Sequence, residues 1–245
     1  ISGFLHVIVY IGFIIINIEL LEILIDGVTG SHRFFSKYFN PNFYNFLIAS
    51  FEILALLVLL SVILFWTRRN IVKIKRFLSN EMKGWPKFDA DNILYFEIVL
   101  MILFLSMNAT DLILQERNFE GYYKAGSFPV SSFIVPLFDS FETSTVYIFE
   151  RVFWWLHIIG IFFFLNYLYY SKHLHILLAF PNTYYANLGN IGKFGILESV
   201  RNEVLLMFYP EKASQSNGEI DKFGASDVLD LNWVQLMNAY SCTEC

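Results

Sequence analysis

Four long apolar runs constrain this chain more than anything else in it. They lie at about Phe4 to Ile25, Phe43 to Trp66, Ile93 to Leu114 and Val152 to Tyr170. At ~1.5 Å rise per residue each can cross a hydrocarbon layer about 30 Å thick, and in that layer a single segment satisfies its own backbone only as a helix. Composition agrees: 56% of the 245 residues are hydrophobic, against roughly 45–50% in a soluble domain. The expected fold class is all-α, an integral membrane helical bundle of about four transmembrane helices with a short cytoplasmic C-terminal extension. A further stretch, Ser131 to Phe149, is apolar but broken by Pro136, Asp139 and Glu142. It reads as a surface or interfacial segment between the third and fourth spans.

The loops predict an orientation. Between the second and third spans lie Arg68, Arg69, Lys73, Lys75, Arg76, Lys83 and Lys87, whereas the first loop holds Arg33 and Lys37 and the third Arg117 and Lys124. Cytoplasmic loops carry the excess of lysine and arginine. Residues 67 to 91 are therefore expected in the cytoplasm, with the fourth span returning there and everything after His175 remaining there.

The fourth run begins with Trp154-Trp155-Leu156-His157 and closes on Ser171-Lys172-His173-Leu174-His175. On one unbroken helix the separation of His157 and His175 corresponds to about five whole turns and about 27 Å of rise, so both imidazoles would share one face with one near each membrane surface. His173 is turned away from that stripe. Ionisable groups inside a membrane are costly and usually functional. Two on one stripe suit a protein that stacks two haems across the bilayer, each with one axial histidine from this helix and one from a neighbour. His6 opens the first span at the level of His175, and His32 follows its other end after Gly27 and Gly30. They are the candidate second ligands, His6 for the inner haem and His32 for the outer.

Polar residues within the spans are unevenly placed. Glu19, Glu22, Glu52, Asn108 and Asp111 fall in the outer half and Glu97 in the inner half. A carboxylate in hydrocarbon needs a partner, a proton or a cavity, so this grouping predicts a polar pocket near the outer surface. Quinol oxidation, which releases protons, needs such a place, and Glu19, Glu52 and Asn108 are its candidate quinone and proton residues.

The pattern Trp155-x-His157-x-x-Gly160, an aromatic run and then Ser171-Lys172-x-x-His175 resembles the membrane cytochrome b subunit of respiratory nitrate reductase and the related membrane subunit of heterodisulfide reductase. The resemblance implies two b-type haems, with His157 on the outer one and His175 and His6 on the inner. In the nitrate reductase subunit a second histidine follows ten residues after the counterpart of His6, where this chain has Ile16. The outer haem's second ligand is thus open, with His32 as the substitute. The region after His175, notably Phe223 to Val228 and Tyr240 to Cys245, resembles the linker of fusion proteins that join this cytochrome to an iron–sulfur subunit of the heterodisulfide reductase type.

Cys242 and Cys245, the chain's two cysteines, form a C-x-x-C pair that suggests metal or redox chemistry. Two thiolates are half the set that a [4Fe–4S] cluster takes, so further cysteines are expected beyond Cys245. Leu231, Val234, Leu236, Met237 and Tyr240 lie on a short amphipathic helix expected to need a partner outside this chain. The expected layout is a haem bundle over residues 1–176, a linker over 177–230 and the start of an iron–sulfur domain over 231–245. The expected function is electron transfer between the (mena)quinone pool and a cytoplasmic iron–sulfur oxidoreductase domain, in the cytoplasmic membrane, with lipid and quinone as partners and no nucleic acid. The alternatives are a proton- or cation-coupled transporter using the same Glu and His residues, and a plain membrane anchor.

Overall fold

A computed structural model describes residues 2–189, 195, 197–211 and 224–242. Among them every regular element is helical. Helices α1 (Ser2–Thr29), α2 (Pro41–Asn70), α3 (Trp85–Glu116) and α4 (Thr143–Leu168) are each long and apolar enough to span a membrane. Shorter helices follow, α5 (His175–Tyr184), α6 (Glu198–Phe208) and α7 (Trp233–Tyr240). The chain divides into two compact units, Ile1–Tyr167 and Leu168–Cys245.

In the first unit α3 is the central helix. Half of its most apolar window is buried, against 22% for α1 and for α4, whose remaining apolar side chains are left for lipid. The main core is built from Ile23, Tyr44, Ile48, Phe51, Ala55, Phe104, Leu105 and Ile158. Helix α1 packs closely on α2, and a Cβ at Gly12 would come within 2.4 Å of Val58 Cγ2. Without a hydrophobic drive between helices in lipid, such close approach through a small residue is what gains dispersion contacts. On α4 the buried positions Val146, Glu150, His157, Phe164 and Leu168 recur at spacings of four and seven residues and, with Ile158 beside them, make one face.

Helix boundaries follow local chemistry. Asn40 caps α2, its side chain accepting from Asn42 N at 2.9 Å with Pro41 at the first position, where proline's missing N–H costs nothing. Gly84, at φ 75 and ψ −130, turns the chain into α3, a conformation open to glycine.

Two expectations about the fourth span are corrected. It starts at Thr143, not near Val152, and Glu150 on its second turn is covered by Tyr122 and Arg151. It also stops at Leu168. Ser171 is extended, its hydroxyl accepts from His173 N at 3.1 Å, and a 3-10 turn over Lys172–Leu174 leads into α5. A serine oxygen that caps a new turn competes with continuation of the old helix. His157 and His175 therefore lie on different helices, and the five-turn register between them does not hold.

In the second unit α7 is held by a capping box between Asn232 and Gln235. Its partner is within the chain: Asn182 Nδ2 on α5 donates to Ser241 Oγ at 2.8 Å, and the Tyr185 and Trp233 rings meet at 4.6 Å. The expectation that α7 had nothing here to pack on is corrected accordingly. Cys242 follows α7 and is exposed, and Cys245 lies outside the described residues.

Candidate functional site

At the end of the bundle where α1 and α3 finish and α2 and α4 begin, the turn after α1 drives a cation inward. Gly30 takes φ 67 and closes α1, its N–H bonding Asp26 O at 2.8 Å. The Asp26 carboxylate then gathers the turn, accepting from Arg33 N and Phe34 N at 2.9 Å and from Ser31 Oγ at 3.0 Å. Arg33 is held at φ 50 and ψ 61, a left-handed conformation uncommon for a residue with a side chain, and these bonds hold it there.

The result is a guanidinium 5% exposed among the spans. Its Nη1 donates to Glu19 Oε1 at 2.9 Å, and its Nη2 to Asn108 Oδ1 at 2.8 Å and Asp111 Oδ2 at 2.9 Å. The Nε reaches Asp111 Oδ2 at 3.1 Å, and the Phe128 ring lies 5.1 Å away. Burial alone would make Arg33 easier to deprotonate, but Asp111, Tyr44, Glu19 and Glu22 outweigh it and hold the guanidinium well above its ordinary value.

The network spreads from there. Asn108 Nδ2 donates to Glu52 Oε1 at 3.2 Å, and Glu52 Oε2 accepts from Val130 N at 2.9 Å and Ser131 N at 3.1 Å, with the Ser131 hydroxyl closing on the other oxygen. Glu22 accepts from Phe35 N and from the Tyr44 hydroxyl, each at 2.8 Å. Tyr122, 4.7 Å from the His32 ring, donates to Glu150 Oε2 at 2.7 Å. Burial and the neighbouring Glu150 both raise the pKa of the Tyr122 hydroxyl.

Glu19, Glu52 and Asn108 are thus brought together as expected, but through a residue that the sequence reading assigned to a loop. They are at most 1% exposed, and none lines the cavity of about 180 Å³ beside them, whose walls include Asp26, His32, Asp111, Glu150, Trp154 and Trp155. Arg33, Tyr44, Tyr122 and Ser131 were missed. The available signal was the demand itself, since so many buried acids at one depth need a counter-charge, and the nearest cation in sequence to the end of α1 is Arg33.

The histidines divide by hydrogen bonding. His157 is 4% exposed, its Nδ1 lies 3.1 Å from Leu100 O, and its ring sits 5.7 Å from that of Phe104. A carbonyl can only accept, so the proton is on Nδ1 and the lone pair is on Nε2, which makes no hydrogen bond among the described residues. Ligating histidines usually have this arrangement, with the second nitrogen donating to a carbonyl or carboxylate. His175 also donates from Nδ1, to Lys172 O at 2.9 Å, and His6 is exposed on the first turns of α1. Both His157 and His175 fit a b-type haem in tautomer. His32 does not. Its Nδ1 accepts from Tyr123 N at 3.3 Å and its Nε2 bonds Asp111 Oδ1 at 2.8 Å, so both nitrogens are spent within the protein. As a ligand of the outer haem, His32 would have to give up one of these bonds.

No family model and no solved structure matches the chain. Over 244 residues, the whole of the chain, it is 25% identical to the probable iron-sulfur-binding oxidoreductase FadF of Bacillus subtilis (strain 168). The chain spans 30% of that relative's length.

Proposed function

We propose that this chain is the membrane electron-transfer part of an iron–sulfur oxidoreductase, passing electrons between the (mena)quinone pool and a cytoplasmic iron–sulfur domain through b-type haem. The observation that carries the reading is the end-to-end alignment of a bundle with four span-length helices on part of an iron-sulfur-binding oxidoreductase. A buried imidazole in the ligand tautomer, His157, supports it.

His157 holds haem within the bundle, and His175 and His6 are the ligands proposed for a second haem. Bound haem supplies one-electron carriage, and the chain's own share at His157 is to hold the imidazole with Nδ1 tied to the Leu100 carbonyl and Nε2 left for the iron. Cys242 and Cys245 begin the ligand set of a [4Fe–4S] cluster completed elsewhere. The basic stretch 67–91 and the second unit face the cytoplasm. A quinone headgroup meets the cavity beside Arg33, which His32, Asp111, Glu150, Trp154 and Trp155 line, while Glu19, Glu52 and Asn108 act from behind by fixing the guanidinium. The transporter reading needs carboxylates open to a cation, and here Glu52, Glu22 and Asp111 are committed to protein donors.

A reduced-minus-oxidised absorption spectrum of the purified protein tests the proposal. It predicts a b-type haem band that is lost in part in His157→Ala and retained in His32→Ala. A protein without any haem band is a transporter or an anchor, and the reading falls.

A further inference from the structure

The whole chain carries a formal charge of −5, yet residues 67–88 hold seven lysines and arginines and one acidic residue, Glu81. Two of these cations have a carboxylate. Arg69 Nε lies 3.2 Å from Asp91 Oδ1, and Lys87 Nζ donates to Asp91 Oδ2 at 2.5 Å. Lys73, Lys75, Arg76 and Lys83 are exposed, and among the described residues none is paired with a carboxylate. The same stretch leaves Ile71, Val72, Leu78, Trp85 and Phe88 each more than half exposed.

The loop that carries them is short, joining Asn70 of α2 to Trp85 of α3. It is tied down by buried Met82 and by Phe77, over which the Arg69 and Arg76 guanidiniums lie at 5.2 and 5.0 Å. Its exposed residues therefore stay close to the ends of two spans, at the depth of lipid headgroups. Large apolar side chains interleaved with unpaired cations are unfavourable in bulk water and favourable at that boundary.

We propose that this loop is a docking surface for anionic glycerophospholipid, with Lys73, Lys75, Arg76 and Lys83 on the phosphate and headgroup and Ile71, Val72, Leu78, Trp85 and Phe88 against the upper acyl region. Charge selects the acidic lipid over a zwitterionic one. The apolar residues select a lipid over inorganic phosphate or the acidic face of a soluble protein, neither of which gives Trp85 and Phe88 anything to enter.

The test is native mass spectrometry of the full chain, delipidated in neutral detergent and offered phosphatidylglycerol and phosphatidylcholine in equal amounts. The wild type retains phosphatidylglycerol preferentially, and the Lys73→Gln, Lys75→Gln, Arg76→Gln, Lys83→Gln quadruple variant loses that preference by on the order of tenfold. Trp85→Ser with Phe88→Ser weakens retention of both lipids. Raising salt to about 1 M, where screening acts within about 3 Å, lowers the preference of the wild type and does not depend on any variant folding. Equal retention of the two lipids by the wild type overturns the proposal and leaves an acidic protein partner for this face. Displacement of the lipid by inorganic phosphate overturns it in favour of a simple anion site.

Discussion

The two ends of the four-helix unit treat their cations in opposite ways. At one end Arg33 is drawn under the surface and bonded to Glu19, Asn108 and Asp111, and the segments that cover it are pinned by the neighbouring carboxylates of Asp26, Glu22 and Glu52. At the other, most lysines and arginines of residues 67–88 remain exposed, and among the described residues only Arg69 and Lys87 have a carboxylate, Asp91. The difference is one of desolvation. A cation removed from water must recover its hydration from fixed partners, so the buried end is specified residue by residue, whereas an exposed cation keeps its water and constrains little.

The largest effect is therefore expected at the buried end. Arg33→Ala leaves Glu19 and Asp111 without their counter-charge and should cost roughly 3–5 kcal/mol, read as a large fall in the thermal midpoint in detergent. Arg33→Lys should rescue little, because an ammonium cannot meet Glu19, Asn108 and Asp111 with a planar fork. A midpoint close to wild type in Arg33→Ala would mean that the two ends do not differ as described.

The fold and this site were legible in the sequence to different degrees. Four spans could be read because apolar runs of that length have few other uses. The start of α4 could not, since Pro136, Asp139 and Glu142 make the stretch from Ser131 to Phe149 read as a surface segment, and the cover that Tyr122 gives Glu150 leaves no mark in the sequence. Its end was hidden for a related reason. Ser171 takes a local capping bond, and nothing in the apolar pattern distinguishes a capped break from a continuing helix. In the site, the common depth of Glu19, Glu52, Asn108 and Asp111 was visible from their positions along the spans. What joins them was not, because an arginine in a loop reads as an orientation signal and its left-handed backbone leaves no mark in the sequence. The bond that occupies His32 Nδ1 comes from Tyr123 N, which is far away in sequence.

Glu52→Ala should come next in size. It frees Val130 N and Ser131 N together, and one such buried loss costs about 1–3 kcal/mol. Limited proteolysis should then cut near residues 128–133 faster than in wild type, and unchanged cleavage would show that the covering loop is held by its apolar contacts instead.

At the basic end Asp91→Asn should matter less, on the order of 1 kcal/mol, since Arg69 is only partly buried and Lys87 is about half exposed. Lys87→Ala should be smaller still, within about 0.5 kcal/mol, and denaturation midpoints of the two variants measure the ordering. A Lys87 effect as large as that of Arg33 would erase the contrast between the ends.

The proposed electron transfer is tested most directly by anaerobic addition of a reduced naphthoquinol to the purified chain, followed in the visible spectrum. The expected result is reduction of a b-type haem band in wild type, slower reduction in Asp111→Asn with haem content kept, and loss of the responding band in His157→Ala. A wild-type protein whose haem band does not respond to quinol, or a His157→Ala variant that responds like wild type, would contradict the account.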